Sequence, residues 1–316
     1  MLHHLRSLGI FVVCLTLYDV SVAQARSDTW VSPSGSDAGT CVSTAPCRTF
    51  AYAYTQTSVN GSINVAGSGS YGPLTISKAI SIVADGVQAA ILTAAGGAAI
   101  KVQAPGAIVS LRGLTIDMRG TANDGISFVS GAALHVHRSF IRKAARGISV
   151  TPASGNSEIY IVDTTITDTQ GVDATGIEVR PTGSASIKAV IERTRVENSD
   201  YHGIIFNGFG TTGAITATVS DSVAAGNNQI GIGAHDDVSG GTKLMVERSA
   251  AVNSAGPGVG FFANGAGTTL WIGNSTASGN QTGLFAQVGG AIRSYATNKV
   301  NGNATDGAVT STVATK

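Results

Sequence analysis

"VERSAAVNSAG", Val246 to Gly256, repeats "IERTRVENSD", Ile191 to Asp200, position by position: apolar, Glu, Arg, hydroxyl, any, apolar, any, Asn, Ser. Looser copies are "VHRSFI", "IVDTTITD", "VSDSVAAGN" and "IGNSTASGN". Their hydroxyl residues are Ser139, Thr164, Thr194, Ser222, Ser249 and Ser275, at steps of 25, 30, 28, 27 and 26. A second phrase runs between them: glycine, apolar, any, apolar. It begins at Gly125, Gly147, Gly176, Gly203, Gly231, Gly258 and Gly283, at steps of 22, 29, 27, 28, 27 and 25. Two interleaved phrases drifting with one period make a structural repeat, and a repeat decides the architecture before any single element does.

Within each unit the apolar residues recur at spacing two, in short runs broken by Gly, Asn, Asp and Ser. That is strand patterning. Helical repeats would show spacings of three and four and far fewer glycines. Leucine-rich repeats need a leucine skeleton that is absent, and propeller blades need about 40 residues each. The remaining architecture is all-β: a parallel β-helix whose coils stack about 4.8 Å apart. Dividing the repeat region by its period gives about nine coils. Ile126, Phe128, Ile148, Val150, Ile177, Val179, Ile204, Phe206, Ile232, Val259, Phe261 and Leu284 are the expected inward stack. Asn198, Asn227, Asn253 and Asn280 recur as well and read as one structural amide ladder in a turn.

The composition agrees. Of 316 residues, 43% are hydrophobic, 12% charged and 41 are glycine, with a net charge of +1. This is the opposite of a disordered chain, and without a basic run it offers nucleic acid no electrostatic footprint. The first 25 residues carry a basic start, the apolar run "SLGIFVVCLTL" and the small-x-small "AQA", a secretory signal peptide with cleavage expected after Ala25. The run is too short to span a bilayer, so a secreted or periplasmic protein with no membrane attachment after cleavage is expected. In that setting Cys41 and Cys47, the pair left after cleavage, read as a local disulfide. Thr49 to Gln56, with Phe50, reads as a short helix over the open first coil, whose bare edge would otherwise invite aggregation. The expected organisation is signal peptide 1–25, N-terminal segment with disulfide and capping helix 26–60, β-helix 61–307 and tail 308–316.

Two segments carry a family resemblance. "WVSPSGSDAGTCVSTAPCRTFAYAY" is similar to the entry of many bacterial secreted proteins of the pectin-lyase-like superfamily, and "GSYGPLTISKAISIVADG" to their first coil. The resemblance spans roughly Asp28 to Gly307 and implies a single-stranded right-handed parallel β-helix. It also implies a polysaccharide groove along one sheet, and calcium as the cofactor of some members. It supplies no catalytic residue. Galacturonan hydrolases of this fold carry N-T-D, D-D, G-H-G and R-I-K in that order, whereas here only His202-Gly203 and Asp236-Asp237 occur, in the reverse order. No cofactor is identified from the residues themselves.

The repeat register singles out the candidates directly. Outward positions of the glycine phrase form two columns: Ser127, Ser149, Glu178, Ile205, Gly233, Gly260, Phe285, and Val129, Thr151, Arg180, Asn207, His235, Phe262, Gln287. The central coils thus align Glu178, Arg180, Asn207 and His235, with Asp236 just beyond and Phe262 as a stacking platform. A carboxylate, guanidinium, amide and imidazole in one row suit a uronate and its hydroxyls. His202 reads as a turn histidine, and His135 and His137 lack a third metal ligand. Two functions follow: binding or modification of acidic polysaccharide (lyase-, epimerase- or hydrolase-like) by a monomer, or a non-enzymatic structural or adhesive rod.

Overall fold

The computed structural model describes residues 25–92, 96–237 and 240–314; the expected signal peptide lies outside them. Short parallel strands joined by turns are wound into three sheets of 12, 10 and 10 strands among the described residues. The first sheet runs from Arg26–Val31 to Ser311–Thr312, the second from Gly69–Ser70 to Lys299–Val300, the third from Leu74–Ile76 to Thr305–Gly307. Each coil gives one strand to each sheet and pairs with the coils before and after it, which is the expected solenoid. No helix of the described residues is long and apolar enough to cross a membrane.

The core follows from the alternation. In the third sheet Ile126, Ile148, Ile177, Ile204, Ile232, Phe261 and Leu284 are paired in succession. All are at most 4% exposed. Burying one such side chain contributes about 1.5–3 kcal/mol, and like stacks on like, so every coil repeats that gain. Val259 departs from the expected inward stack. It pairs with Ile230 on the outer face and is half-buried there.

The hydroxyl of the repeat has one job in every coil. Each turns back onto the carbonyl two residues earlier, as Ser222 does to Ser220 at 2.7 Å and Ser249 to Glu247 at 2.9 Å. In the later coils the hydroxyl also accepts the backbone N–H of its counterpart one coil earlier: Thr194 to Ser222 at 3.1 Å, Ser222 to Ser249 at 3.1 Å, Ser249 to Ser275 at 3.2 Å. The preceding residue is left-handed throughout, with φ between 46° and 52° at Arg138, Asp163, Arg193, Asp221, Arg248 and Asn274. The column thereby bends the chain from the first sheet to the second without leaving buried amides unpaired.

The four asparagines form two ladders rather than one. Asn227 and Asn280 are interior; Ser199 N–H donates to Asn227 Oδ1 at 3.1 Å and Ser254 N–H to Asn280 Oδ1 at 2.9 Å. Asn198 and Asn253 sit one residue earlier at φ 55°, in register with Gly226 and Gly279 at 65° and 70°. One column satisfies amides, and the other takes a backbone angle that Gly and Asn tolerate.

At the N-terminus the helix spans Phe50–Gln56 and is capped by Thr49, whose Oγ1 accepts from Tyr52 N–H at 3.2 Å. Asp37 holds the entry in place by accepting from Arg48 N, Thr49 N and Thr49 Oγ1 at 2.8–2.9 Å. Phe50 packs on Tyr71 with ring centroids 5.0 Å apart. Cys41 and Cys47 are bonded to each other and fully buried beneath this entry. The strand Arg26–Val31 already pairs into the first sheet, so sheet pairing begins within the N-terminal segment.

Candidate functional site

On the third sheet the outward positions number three per coil, not two. At Gly147, Gly176 and Gly203 a Cβ would meet interior atoms: Ile166 Cγ2 at 2.4 Å, Val196 Cγ1 at 2.0 Å and Asn227 Nδ2 at 2.7 Å. The glycine and the apolar residue after it therefore both face inward. This local bend resets the alternation and turns the residue before the glycine outward. Arg146, Thr175, His202, Ile230 and Val259 form that additional column.

The three columns meet in a cleft of about 290 Å³ on coils 146–235. Its floor and walls include Arg146, Glu178, Arg180, His202, Asn207 and His235, with Tyr201, Ile205 and Ile230 beside them. Four of the residues aligned from sequence, Glu178, Arg180, Asn207 and His235, thus lie in one concavity, and His202 joins them. Sequence reasoning placed His202 in a turn. The histidine is the first residue of the strand His202–Asn207, and its ring lies 3.8 Å from that of Tyr201.

The charges are arranged asymmetrically. Arg146 forks onto Asp124, with Nε–Oδ1 at 2.7 Å and Nη2–Oδ2 at 3.3 Å, and reaches Glu178 Oε2 at 3.5 Å. Burial opposes the charge on Arg146, but the hydrogen bond and charge of Asp124, helped by Glu178, outweigh it and raise its pKa. Glu178 is pushed above the usual carboxylate range by burial, against the pull of Arg146 and Arg180. Arg180 is exposed and makes no ion pair among the described residues. His202 is lowered to about 4, first by burial and then by the neighbouring His235. Its Nδ1 is buried with no hydrogen-bond partner. Such an orphan costs stability wherever it occurs.

His235 pairs with Asn207 on one side and Asn264 on the other. Asn264 Nδ2 lies 2.7 Å from His235 Nε2, so the amide fixes the ring whichever of its two ends faces the nitrogen. Asn207 Oδ1 accepts the Phe209 N–H at 2.9 Å, which ties the following turn to the cleft. That turn carries Phe209 at 53% exposure, its ring edge-on to His235 at 6.4 Å.

Two expected site residues lie elsewhere. Asp236 is 1% exposed and points inward, accepting from Thr242 Oγ1 at 3.0 Å beneath Gly208 and Gly267, where a β-carbon would collide with it. Phe262 is 8% exposed and one column over, paired with Gly233 rather than with His235. The repeat phrase in "GPGVGFF" begins at Gly260, two residues after Gly258, so Asn264 takes the place expected for Phe262. Phe209 is the exposed ring beside the cleft. No repeat phrase pointed to it; the signal was an aromatic in a glycine-flanked turn, "NGFGTT".

The calcium implied by the resemblance does not fit this cleft. Glu178 in the cleft and Asp124 beside it already share the Arg146 guanidinium. Among the described residues no group of three or more His, Cys, Asp or Glu could hold a metal ion. His135 and His137 are on the outer face of the first sheet, where His135 stacks on Tyr160 at 4.7 Å.

No family model matches the chain and no curated protein matches it by sequence. Solved structures do. A rhamnogalacturonan lyase superposes with a TM-score of 0.62 at 13% identity, over 89% of this chain and 88% of that one. The fold the two share is the right-handed parallel β-helix. A pectate lyase shares this β-helix with a TM-score of 0.53 at 12% identity, over 87% of this chain and 75% of that one. At such identities the likeness is one of architecture, and the site rests on this β-helix's own residues.

Proposed function

We propose that this β-helix is an exported protein that binds acidic polysaccharide in the cleft and cleaves it there by β-elimination at a uronate. Both structural neighbours are named as lyases of acidic polysaccharides, which supports the substrate class. The observation that carries the reading is the convergence, from successive coils, of an unpaired arginine, an elevated glutamic acid and two histidines, one with an orphaned nitrogen.

The residues divide the chemistry as follows. Arg180 forks onto the substrate carboxylate and neutralises it, which acidifies the neighbouring C5–H. With the Asn264 amide turned so that its otherwise unpartnered Oδ1 accepts from Nε2–H, His235 keeps a lone pair on Nδ1 and takes that proton. The electron pair forms the C4–C5 double bond as the C4–oxygen bond breaks. Glu178, protonated more readily than an ordinary carboxylate, hands its proton to the departing oxygen. His202, neutral at neutral pH, stands in the cleft wall beside the ligand, and Asn207 Nδ2 holds a sugar hydroxyl.

The test is ultraviolet absorbance of the unsaturated product from pectate, alginate and related uronans. Turnover on one of them, lost in Arg180→Ala and His235→Ala, is expected. Unchanged glycan binding and turnover in both variants would leave the cleft as the wet face of a structural rod.

A further inference from the structure

The coil that contains the strand His202–Asn207 carries Ile205, then Asn207, then Phe209 in the turn that follows. Asn207 belongs to the row that continues from Arg180 along the coils as Asn207, His235, Asn264 and Gln287. Two residues beyond each member of that row stand Thr182, Phe209, Asp237, Ala266 and Gly289. The aromatic therefore occurs once, level with the middle of the cleft, where the equivalent turns are small or polar. Its turn is pinned. Asn207 Oδ1 accepts the Phe209 N–H at 2.9 Å, Gly183 N–H donates to Gly210 O at 2.9 Å, and Thr211 N–H donates to Gly208 O at 3.2 Å. Gly208 lies close on the interior, where a Cβ would stand 2.3 Å from Asp236 Oδ2. Gly210, at φ 97°, takes the left-handed angle that glycine tolerates. Phe209 nevertheless remains 53% exposed, edge-on to His235. A lone exposed apolar side chain is ordinary. A ring fixed on a pinned turn, beside polar groups that face a cleft, is preorganised for a ligand.

We infer that Phe209 is the stacking wall for the sugar next to the uronate, so that the cleft selects chains over single uronates. This rests on the reading of the cleft as a uronate site. Neighbouring coils stand about 4.8 Å apart, close to the advance of one pyranose along a glycan. A chain that places a carboxylate at Arg180 and follows the polar row brings its next ring to Asn207 and His235. Asn207 has its oxygen committed to the turn, which leaves Nδ2 for the hydroxyl edge of that ring. Phe209 covers a face of C–H groups. Polar groups at the edge and an aromatic on a face match the amphipathic character of a pyranose. Asn207 couples the two contacts, because the amide that meets the hydroxyl also anchors the turn that presents the ring.

NMR titrations with a monouronate, and with pectate and alginate oligosaccharides, test the wall. The monouronate reaches Arg180 alone, so the wall acts on the gain in affinity from monomer to oligomer. Phe209→Ala is expected to shrink that gain by about ten-fold. Phe209→Tyr, which keeps the ring, is expected to retain it, and Phe209→Leu, which keeps apolar bulk without a ring, to recover only part. Circular dichroism is expected to stay unchanged in all three variants, because the side chain is half exposed. A gain unaltered in Phe209→Ala, or fully kept in Phe209→Leu, would overturn the aromatic wall. Monomer and oligomer affinities lost in equal proportion would overturn it too, since the substitution would then act through the turn or His235. Arg180→Ala separates the two readings. If it weakens every ligand while the Phe209 variants change nothing, the uronate reading stands without the wall. If neither monomer nor oligomer binds the parent protein, both readings fall together.

Discussion

The charged turn column and the cleft are built by the same stacking, yet one is closed and the other open. Along the turn, Asp163, Arg193, Asp221 and Arg248 alternate in sign. Arg193 meets Asp163 at 2.6 Å and Arg248 meets Asp221 at 2.8 Å. Asp163 and Asp221 are held below the ordinary carboxylate range by these hydrogen bonds, and both arginines are raised by them. Across the cleft, by contrast, Arg180 makes no ion pair among the described residues, Glu178 is pushed up by burial, and a histidine nitrogen is buried without a partner. A column that satisfies itself needs nothing from outside. On the proposed reading, the column that stays unsatisfied is where a ligand completes the structure.

The largest effect expected from this contrast lies in His202. Its pKa falls from 6.5 to about 4 on folding. Between those values the unfolded chain binds a proton that the folded chain does not, so stability falls as pH drops from 6.5 towards 4 and is complete above 6.5. The loss attributable to this one group approaches roughly 3 kcal/mol at the acid end. Urea unfolding across that range, compared with His202→Gln, isolates it, because the variant lacks the component. Identical pH profiles would mean that the cleft stores no such deficit.

Next in size is the interior amide ladder. Asn227→Ala removes the acceptor of the Ser199 N–H and the donor to Val196 O, 3.1 Å and 3.3 Å away in a fully buried site. A loss of about 1–3 kcal/mol in chemical denaturation is expected. A variant as stable as the parent would show that the ladder is not what holds these turns.

That ladder also marks where the sequence stops being legible. The hydroxyl column and the Ile177–Ile204–Ile232 stack were readable because one residue type recurs at one depth, and strand alternation fixes which way it points. The asparagines were not, because Asn serves two neighbouring positions for different reasons: an amide donor and acceptor inside, a tolerated left-handed angle outside. Gly258 and Gly260 pose the same ambiguity. Both are followed by apolar residues, but at Gly260 a Cβ would lie 2.9 Å from Asn280 Nδ2 and 3.1 Å from Ala277 Cβ, within the bend. Choosing the wrong one moved Phe262 by a column. His202 was missed for a related reason. Strict alternation turns the residue before the glycine inward, and only the bend turns it towards the cleft.

The smallest effect is expected at the turn column. Arg248→Gln breaks an ion pair whose side chains are 57% and 37% exposed, and solvent screens such pairs. The thermal midpoint is expected to stay within measurement error. A clear drop would show that the charged column carries load, and would weaken the contrast with the cleft.

The most direct measurement of that contrast is an NMR titration of the His202 ring, followed with and without a saturating acidic oligosaccharide. The account predicts a pKa near 4 in the free protein. On binding, it predicts an upward shift as the carboxylate's charge arrives beside the imidazole. A ring that titrates near the ordinary histidine value and ignores the ligand would contradict it.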